Sequence, residues 1–456
     1  MANFILWNSF YDKYCPVRTL SSYQLASWLR QHGYTIKVID FCHLISTDDL
    51  VSITEKYIGS DTLAIGVSST FWRDVGTRYG AEPQWVLSAR ARIENKKIHW
   101  LLGGTDSSSE KLILDWNRFS GNAEDSLLKW MDENSNKLTY RNLFDITSNS
   151  VHFSKDDFIK SSEVLPIELG RGCQFKCRFC AYPLVGKKKG TYITDYNLIK
   201  EEFIRNYNEF GTTKYYVMDD TANENEEKIG ALANIVQSLP FELSWTGYNR
   251  LDLIWSRPDT ITTLKDSGLK STLFGIESFH PGASMLVGKG WNGKHAKDFL
   301  LRLKDIWKDD ITWCLSFIVG LPNESKDDIE ATLDWCIKNK MYNWVFYPLY
   351  INQSTTKLWR SEFELNYEKY GYSFPINNYM WESKDWTFLK ANEYASELNN
   401  RSYNEKYIGP WGLFQLSCLD HSIQELMKKK IHLHPWNQYM NETKDFIDRY
   451  VRDHLR

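Results

Sequence analysis

A chain of 456 residues is too long for one ordinary core and points to two or three domains. Its apolar content of 42%, charged content of 25% and formal charge of -3 at pH 7 describe a water-soluble globular protein with no basic excess for nucleic acid. No apolar run approaches a membrane span, and "MANFILWNSF" lacks a basic leader region and a small-residue cleavage site, so a cytoplasmic location without membrane association is expected.

In chain order, "NFILWNS" (3 to 9) reads as a strand. "SSYQLASWLRQHG" (21 to 33) has helical spacing ending at Gly33, and "TIKVIDF" (35 to 41) is a β-branched strand. "DTLAIGVSST" (61 to 70), a helix near 82 to 95 and "KIHWLLGGT" (97 to 105) continue the alternation. Strands alternating with helices predict an α/β, Rossmann-like doubly wound domain over 1-150, whose ligand crevice lies at the carboxyl ends of the strands. Small or polar residues stand at those ends: Asn8 and Ser9, Ser68 to Thr70, and Gly103, Gly104 and Thr105.

The polar stretch 147 to 162 reads as a linker. A second alternation then begins, with strands near 164–168, 214–219, 241–248, 270–277, 311–319 and 342–349 and helices including 195–210, 224–238, 293–308 and 326–339. Six such units predict a partial (β/α)6 barrel of the TIM type over 160-350. From 351 to 456 the alternation stops, and Trp, Tyr, Asn and Lys predominate in what reads as a mostly helical C-terminal cap. Aromatic content of 15%, with 19 Trp, suits either core packing or a pocket for a large flat ligand.

Eight cysteines in this length do not form a disulfide framework. Cys173, Cys177 and Cys180 stand in a Cys-x3-Cys-x2-Cys spacing after the first barrel strand, while Cys15, Cys42, Cys314, Cys336 and Cys418 are scattered. Clustered thiolates select zinc or iron-sulfur. A structural zinc needs a fourth ligand, for which His152 is the nearest histidine; an iron-sulfur cluster held by three cysteines instead leaves one iron open.

The stretch "LPIELGRGCQFKCRFC", with Phe179 before the last cysteine, resembles the cluster loop of the radical S-adenosylmethionine (radical SAM) superfamily, and the six predicted units are similar to its partial barrel. The resemblance implies a four-iron four-sulfur cluster on Cys173, Cys177 and Cys180. It also implies S-adenosylmethionine on the open iron, reductive cleavage to a 5'-deoxyadenosyl radical, and an external electron donor of flavodoxin or ferredoxin type. In "YYVMDDTAN", Asp219 and Asp220 occupy the place of the family's methionine-amino segment, without its glycines; Asp220 is alternatively a turn cap. "TGYNRLD" brings Asn249 and Arg250, the latter for the methionine carboxylate or a surface ion pair. "LFGIESFH" offers Glu277 and Ser278 near the ribose, and "FIVGLPNES" offers Ile318, Val319 and Gly320 beside adenine, with Asn323 or Glu324 as a helix cap.

The first domain resembles that of the cobalamin-binding group of this superfamily through "LASWLRQHGYTIKVIDF", "WLLGGT" and the Gly-x-x-Glu segment at Gly121 and Glu124. The histidine motif that ligates cobalt in many cobalamin proteins is absent, and His43 has other neighbours. The resemblance implies cobalamin lined by Ser68, Ser69, Thr70, Phe71, Gly103 and Gly104; the alternative is a retained sheet that only shapes the substrate pocket. "GKKKG" (186 to 190) and Lys428 to Lys430 read as solvated lysines or as anion contacts, and Cys314, Cys336 and Cys418 as buried or free thiols. The expected function is cobalamin-dependent methyl transfer to an unactivated carbon of a small-molecule or natural-product-type substrate, with Tyr347, Tyr350 and Trp359 facing it. Radical rearrangement, ring contraction or dehydrogenation without cobalamin is the alternative, and a non-catalytic iron-sulfur binding protein is the alternative from another class.

Overall fold

A computed structural model describes residues 1–9, 18–70, 72, 81–93, 97–135, 137, 143–182, 184–289, 292–351, 353, 361–377, 380–402, 405 and 435–456. The chain divides into two compact units, one of residues 1–167, 197–213 and 436–456, the other of residues 168–196 and 214–435.

In the first unit, β1 (Phe4–Trp7), α1 (Leu20–Gln31), β2 (Ile36–Ile39), α2 (Thr47–Tyr57), β3 (Ala64–Ser68), α3 (Gln84–Arg92), β4 (His99–Gly103), β5 (Asn117–Arg118) and α4 (Glu124–Ser135) follow in order. The strands form one sheet in the order β2-β1-β3-β4-β5, and every pair is parallel. β1 and most of β3 are buried, which explains why they read as apolar runs rather than alternations, and β2 is buried along its length, Lys37 included. The order reverses between β1 and β3, so the crevice of this unit opens beyond Trp7 and Ser68.

The polar stretch expected to be a linker is packed into this unit, because its polar groups have buried partners. Glu202 accepts from Ser150 Oγ at 2.8 Å and from the Val151 amide at 2.9 Å, and Asp157 pairs with Arg30 at 3.2 Å. Glu163 receives Nη2 of the fully buried Arg18 at 3.1 Å. The terminal helix Pro435–Leu455 also packs here from Trp436 onward rather than over the second sheet. Its Phe446 and Tyr450 rings meet Phe41 edge-on at 5.4 and 5.3 Å, and the Tyr450 hydroxyl accepts from the Asp40 amide at 2.9 Å.

The second sheet runs β11-β10-β9-β8-β7-β6. Its strands are β6 (Val164–Ile167), β7 (Lys214–Val217), β8 (Ser244–Asn249), β9 (Leu269–Glu277), β10 (Thr312–Val319) and β11 (Asn343–Pro348). Sequence neighbours are therefore spatial neighbours, as in a β/α barrel, and the strands from β7 to β11 pair in parallel. Helices α5 (Tyr196–Phe210), α6 (Glu226–Gln237), α10 (Gly293–Trp307) and α11 (Lys326–Lys338) fall where the periodicity puts them. The short helices α7 (Leu251–Ser256), α8 (Thr260–Asp266) and α9 (Pro281–Val287) do not, since six or seven residues carry too little period to read. Beyond β11, the described residues of this unit include α12 (Glu362–Leu365) and α13 (Phe388–Arg401). No helix among the described residues is long and apolar enough to cross a membrane.

Candidate functional site

The chain leaves β6 into a loop whose shape is set by its backbone. Gly170 bridges Ile193, Cys173 bridges Val185, and the Cys173 carbonyl accepts from the Gly186 amide at 2.7 Å. Gly172 holds φ 75°, and a Cβ there would sit 2.9 Å from the Leu184 carbonyl, so glycine is required where the loop doubles back. Cys173, Cys177, Cys180 and the intervening Phe179 are half-buried on this loop, and none of the three thiols is in a disulfide. Burial pushes the Cys173 thiol up and the Cys180 thiol to about 12, so these thiols keep their protons until a metal displaces them. No group of three described His, Cys, Asp or Glu residues converges on a single ion. A multi-iron cluster makes no such demand, because each cysteine binds a different iron. His152 belongs to the first unit, and Cys42, Cys314 and Cys336 are buried and in no disulfide among the described residues. Cys15, Phe71, Trp359, Cys418 and Lys428 to Lys430 lie outside the described residues.

The two aspartates after β7 have different surroundings. Asp219 is buried, with Oδ1 accepting from the Leu169 amide at 2.8 Å and Oδ2 from Lys228 Nζ at 2.7 Å. Lys228 also donates to Glu224 and the Thr221 carbonyl, each at 3.1 Å, and Lys187 reaches the same Glu224 oxygen at 3.1 Å and the Arg171 carbonyl at 2.9 Å. "GKKKG" is thus only partly a solvated run: Lys188 and Lys189 are exposed, whereas Lys187 is buried and ties the cysteine loop to the end of β7. Asp220 is half-buried, and its carboxylate makes no hydrogen bond or close ion pair among the described residues. Burial, with Asp219 and Glu168 nearby, pushes it up to about 6.

Arg250 is neither a surface ion pair nor free to grip a carboxylate with its fork. Its Nε and Nη2 donate to Asp252 at 3.1 and 2.7 Å, and its Nη1 donates to Cys177 Sγ at 3.2 Å. The guanidinium lies 4.1 Å from the centre of the Phe175 ring. Asn223 clamps the main chain from both sides, accepting from the Arg250 amide at 2.8 Å and donating to its carbonyl at 2.9 Å. Beside it, Asn249 Nδ2 donates to Thr272 Oγ1 at 2.9 Å, while its buried Oδ1 has no partner among the described residues. Cys173 Sγ lies 3.3 Å from Thr221 Oγ1.

A register shift between β9 and β10 pairs Ser316 with Gly275 but Phe317 with Glu277, so β9 carries one extra residue. The bulge leaves Glu277 at φ 66°, a left-handed conformation that a non-glycine residue adopts only under constraint. Here Lys289 supplies it, with Nζ 2.8 Å from Glu277 Oε1. Ser278 donates its hydroxyl to Glu324, whose second oxygen is buried without a partner among the described residues, and burial pushes that carboxyl up to about 8. Glu324 is therefore not the helix cap, and neither is Asn323: Ser325 caps α11 in a capping box with Asp328. Ile318 is half-buried and pairs with the half-exposed Tyr347; Tyr350 is similarly exposed. Gly320 holds φ 97°, its carbonyl accepts from Tyr372 Oη at 2.8 Å, and the space of a side chain is filled by the Trp381 indole.

In the first unit the expected residues gather at the strand ends. Ser69 donates its hydroxyl to the Gly103 carbonyl at 2.7 Å and accepts from the Asp106 amide at 3.0 Å, so it builds the turn. Gly104, at φ 94°, has no room for a Cβ beside the Thr70 amide, whereas a Cβ on Gly103 would meet open space. Ser68 and Thr70 are half-buried, Gly121 is exposed and Glu124 is buried in the first turn of α4. Thr221, Asn223, Glu224, Lys228, Asp252 and Lys289 escaped the sequence reading. Only the nearness of Asp252 to Arg250 offered a signal there.

Residues 167–336 match the model of the Radical SAM superfamily. The chain is 25% identical over 246 residues to an uncharacterized methyltransferase of Pyrococcus horikoshii, covering 53% of this chain and 50% of that one. It is 24% identical over 200 residues to bacteriochlorophyllide d C-12(1)-methyltransferase of Chlorobaculum tepidum, covering 43% and 41%. The chain thus spans about half the length or less of the curated relatives it matches. Its fold is similar to that of OxsB, a cobalamin-dependent S-adenosylmethionine radical enzyme solved with aqua-cobalamin and S-adenosylmethionine, at TM-score 0.54 and 14% identity over 81% of this chain and 56% of that one. It is also similar to that of the radical S-adenosylmethionine methyltransferase TsrM of Kitasatospora setae, solved with cobalamin and a [4Fe-4S] cluster, at TM-score 0.53 and 14% identity over 76% and 72%.

Proposed function

We propose that this chain, built around a radical SAM domain at residues 167–336, is a cobalamin-dependent methylase that transfers a methyl group to an unactivated carbon of a small-molecule substrate. The observation that carries the reading is the donor set around one loop: three thiols in no disulfide, with the Thr221 hydroxyl at Cys173, the Arg250 guanidinium at Cys177 and, in the field of Cys173 and Cys180, the Asp220 carboxylate, which has no hydrogen bond or close ion pair among the described residues. Soft sulfur ligands with hydrogen-bond donors to spread their charge fit an iron-sulfur cluster. When bound, these cofactors would supply a transferable methyl group and the radical chemistry needed at an unactivated carbon, with the electron coming from an external donor.

The chain's own residues bind and orient. Cys173, Cys177 and Cys180 would hold the cluster, and Asp220, whose carboxyl at about 6 is largely charged at neutral pH, would receive the ammonium group of S-adenosylmethionine. Because Arg250 is occupied by Asp252 and Cys177, the unpartnered Asn249 Oδ1 is the better polar contact for the same ligand. Glu277, fixed by Lys289, serves the ribose; Ile318 and the Gly320 backbone serve adenine. Ser278 acts through Glu324, to which its hydroxyl is committed. In the first unit, Ser68, Thr70 and the Gly103–Gly104 turn line cobalamin on a crevice that Ser69 braces, with Gly121 and Glu124 beyond it. Tyr347 and Tyr350 face the substrate. An external flavodoxin or ferredoxin delivers the electron.

Anaerobic reconstitution with iron, sulfide, S-adenosylmethionine and a low-potential reductant tests the enzyme reading, with methionine and 5'-deoxyadenosine as expected products. Titration with hydroxocobalamin tests the methylase reading. A cobalamin spectrum unchanged at stoichiometric protein removes cobalamin from the account and leaves a radical rearrangement or dehydrogenation.

A further inference from the structure

The three cysteine sulfurs do not receive equal donors. Cys173 has the Thr221 hydroxyl and the Phe175 amide, and Cys180 has the Tyr182 amide, all neutral. Cys177 alone among them has a cationic donor, Nη1 of Arg250 at 3.2 Å. That guanidinium is held in place before any ligand arrives. Asp252 accepts from two nitrogens of one edge, Nε at 3.1 Å and Nη2 at 2.7 Å, Phe175 covers a face at 4.1 Å, and Asn223 fixes the Arg250 backbone with bonds of 2.8 and 2.9 Å. The Arg250 and Asp252 side chains are 8% and 15% exposed, so little water screens the contact with sulfur.

We propose that Arg250 is a positioning residue that raises the reduction potential of the cluster by donating a charge-assisted hydrogen bond to Cys177 Sγ, with Asp252 aiming it. The inference rests on the cluster assignment above. One electron enters from a low-potential one-electron donor, no bond forms or breaks, and the proton stays on the guanidinium. Reduction makes the sulfur ligands more negative, so a donor fixed on one of them stabilises the reduced state more than the oxidised one. Aiming the cation at one ligand rather than at substrate also explains why its fork is filled by a carboxylate of the same chain.

The test is an EPR-monitored redox titration of the reconstituted full chain against Arg250→Gln and Arg250→Lys. Arg250→Gln is expected to reduce the ratio of reduced to oxidised cluster at a fixed potential about tenfold, ~59 mV for a one-electron couple. Arg250→Lys keeps the charge but loses the fork, and falls between Arg250→Gln and the wild type. If Arg250→Gln takes up no iron, Arg250→Lys decides. Wild-type potential in a variant with wild-type iron content overturns the inference and leaves the cluster reading intact. A wild-type chain that takes up no iron overturns the cluster reading, and this inference with it.

Discussion

Replacing Lys228 with Met tests the buried charges that anchor the cysteine loop. Lys228 Nζ makes three bonds, to Asp219 at 2.7 Å and to Glu224 and the Thr221 carbonyl at 3.1 Å each, from a side chain 1% exposed. In the variant, Glu224 retains Lys187 and Asp219 retains the Leu169 amide, so one buried carboxylate is left without a cation. Breaking a buried pair from one side costs about 3–5 kcal/mol, and retained amide contacts favour the lower end. Urea unfolding of the metal-free chain, followed by tryptophan fluorescence, is expected to show that loss at pH 7.5. Burial already raises the Asp219 carboxyl, and without Lys228 it rises further. The cost is therefore largest at high pH and shrinks as the pH falls and Asp219 takes a proton. The double variant Lys228→Met/Asp219→Asn removes both charges and recovers most of the loss. A single-variant loss below about 1 kcal/mol, or one equal at pH 5 and pH 8, would refute this account of the network.

Asp220, held at about 6 against an ordinary 3.8, gives a pH test with a definite sign. A raised carboxyl contributes stability that is present below its ordinary value and is lost as the pH rises through about 6. In the metal-free chain Asp220→Asn is expected to stabilise at pH 8 and to be neutral near pH 4. The shift of about two units sets a ceiling near 3 kcal/mol, and half-exposure brings the expected gain to ~1–2 kcal/mol. Gly320→Ala is expected to destabilise by roughly 2–4 kcal/mol, because it adds the left-handed penalty to a clash with the Trp381 indole; a thermal midpoint equal to wild type would contradict the packing. Tyr450→Phe removes the acceptor of the Asp40 amide and is expected to cost ~1–2 kcal/mol, with faster amide exchange at Asp40 as the specific readout.

Regular elements were legible because their periods were long enough to exceed chance. The strands Thr312–Val319 and Leu269–Glu277 and the helix Gly293–Trp307 lie within a residue or two of their expected places. The Cys-x3-Cys-x2-Cys spacing was legible for a different reason, since three thiols gathered on one short loop are neighbours in the sequence as well. Partners far apart in sequence left no such trace. Nothing in "MDDTANENEEK" separates Asp219, bound to Lys228, from Asp220, which has no close ion pair among the described residues, and nothing in "GKKKG" marks Lys187 as the buried lysine.

The sequence by itself determined two alternations of strand and helix and the loop that carries the thiols. Tertiary structure alone decided which polar residues are free. Arg250 is turned from a ligand contact into a donor to Cys177 by Asp252 and Asn223, and Ser278 is committed to Glu324 across 46 residues. The terminal helix from Trp436 onward joins the first sheet because Tyr450 finds the Asp40 amide 410 residues away. Periodicity and spacing are local properties that a chain displays before it folds. Burial and hydrogen-bond partnership belong to pairs of distant residues and exist only once folding has brought them together.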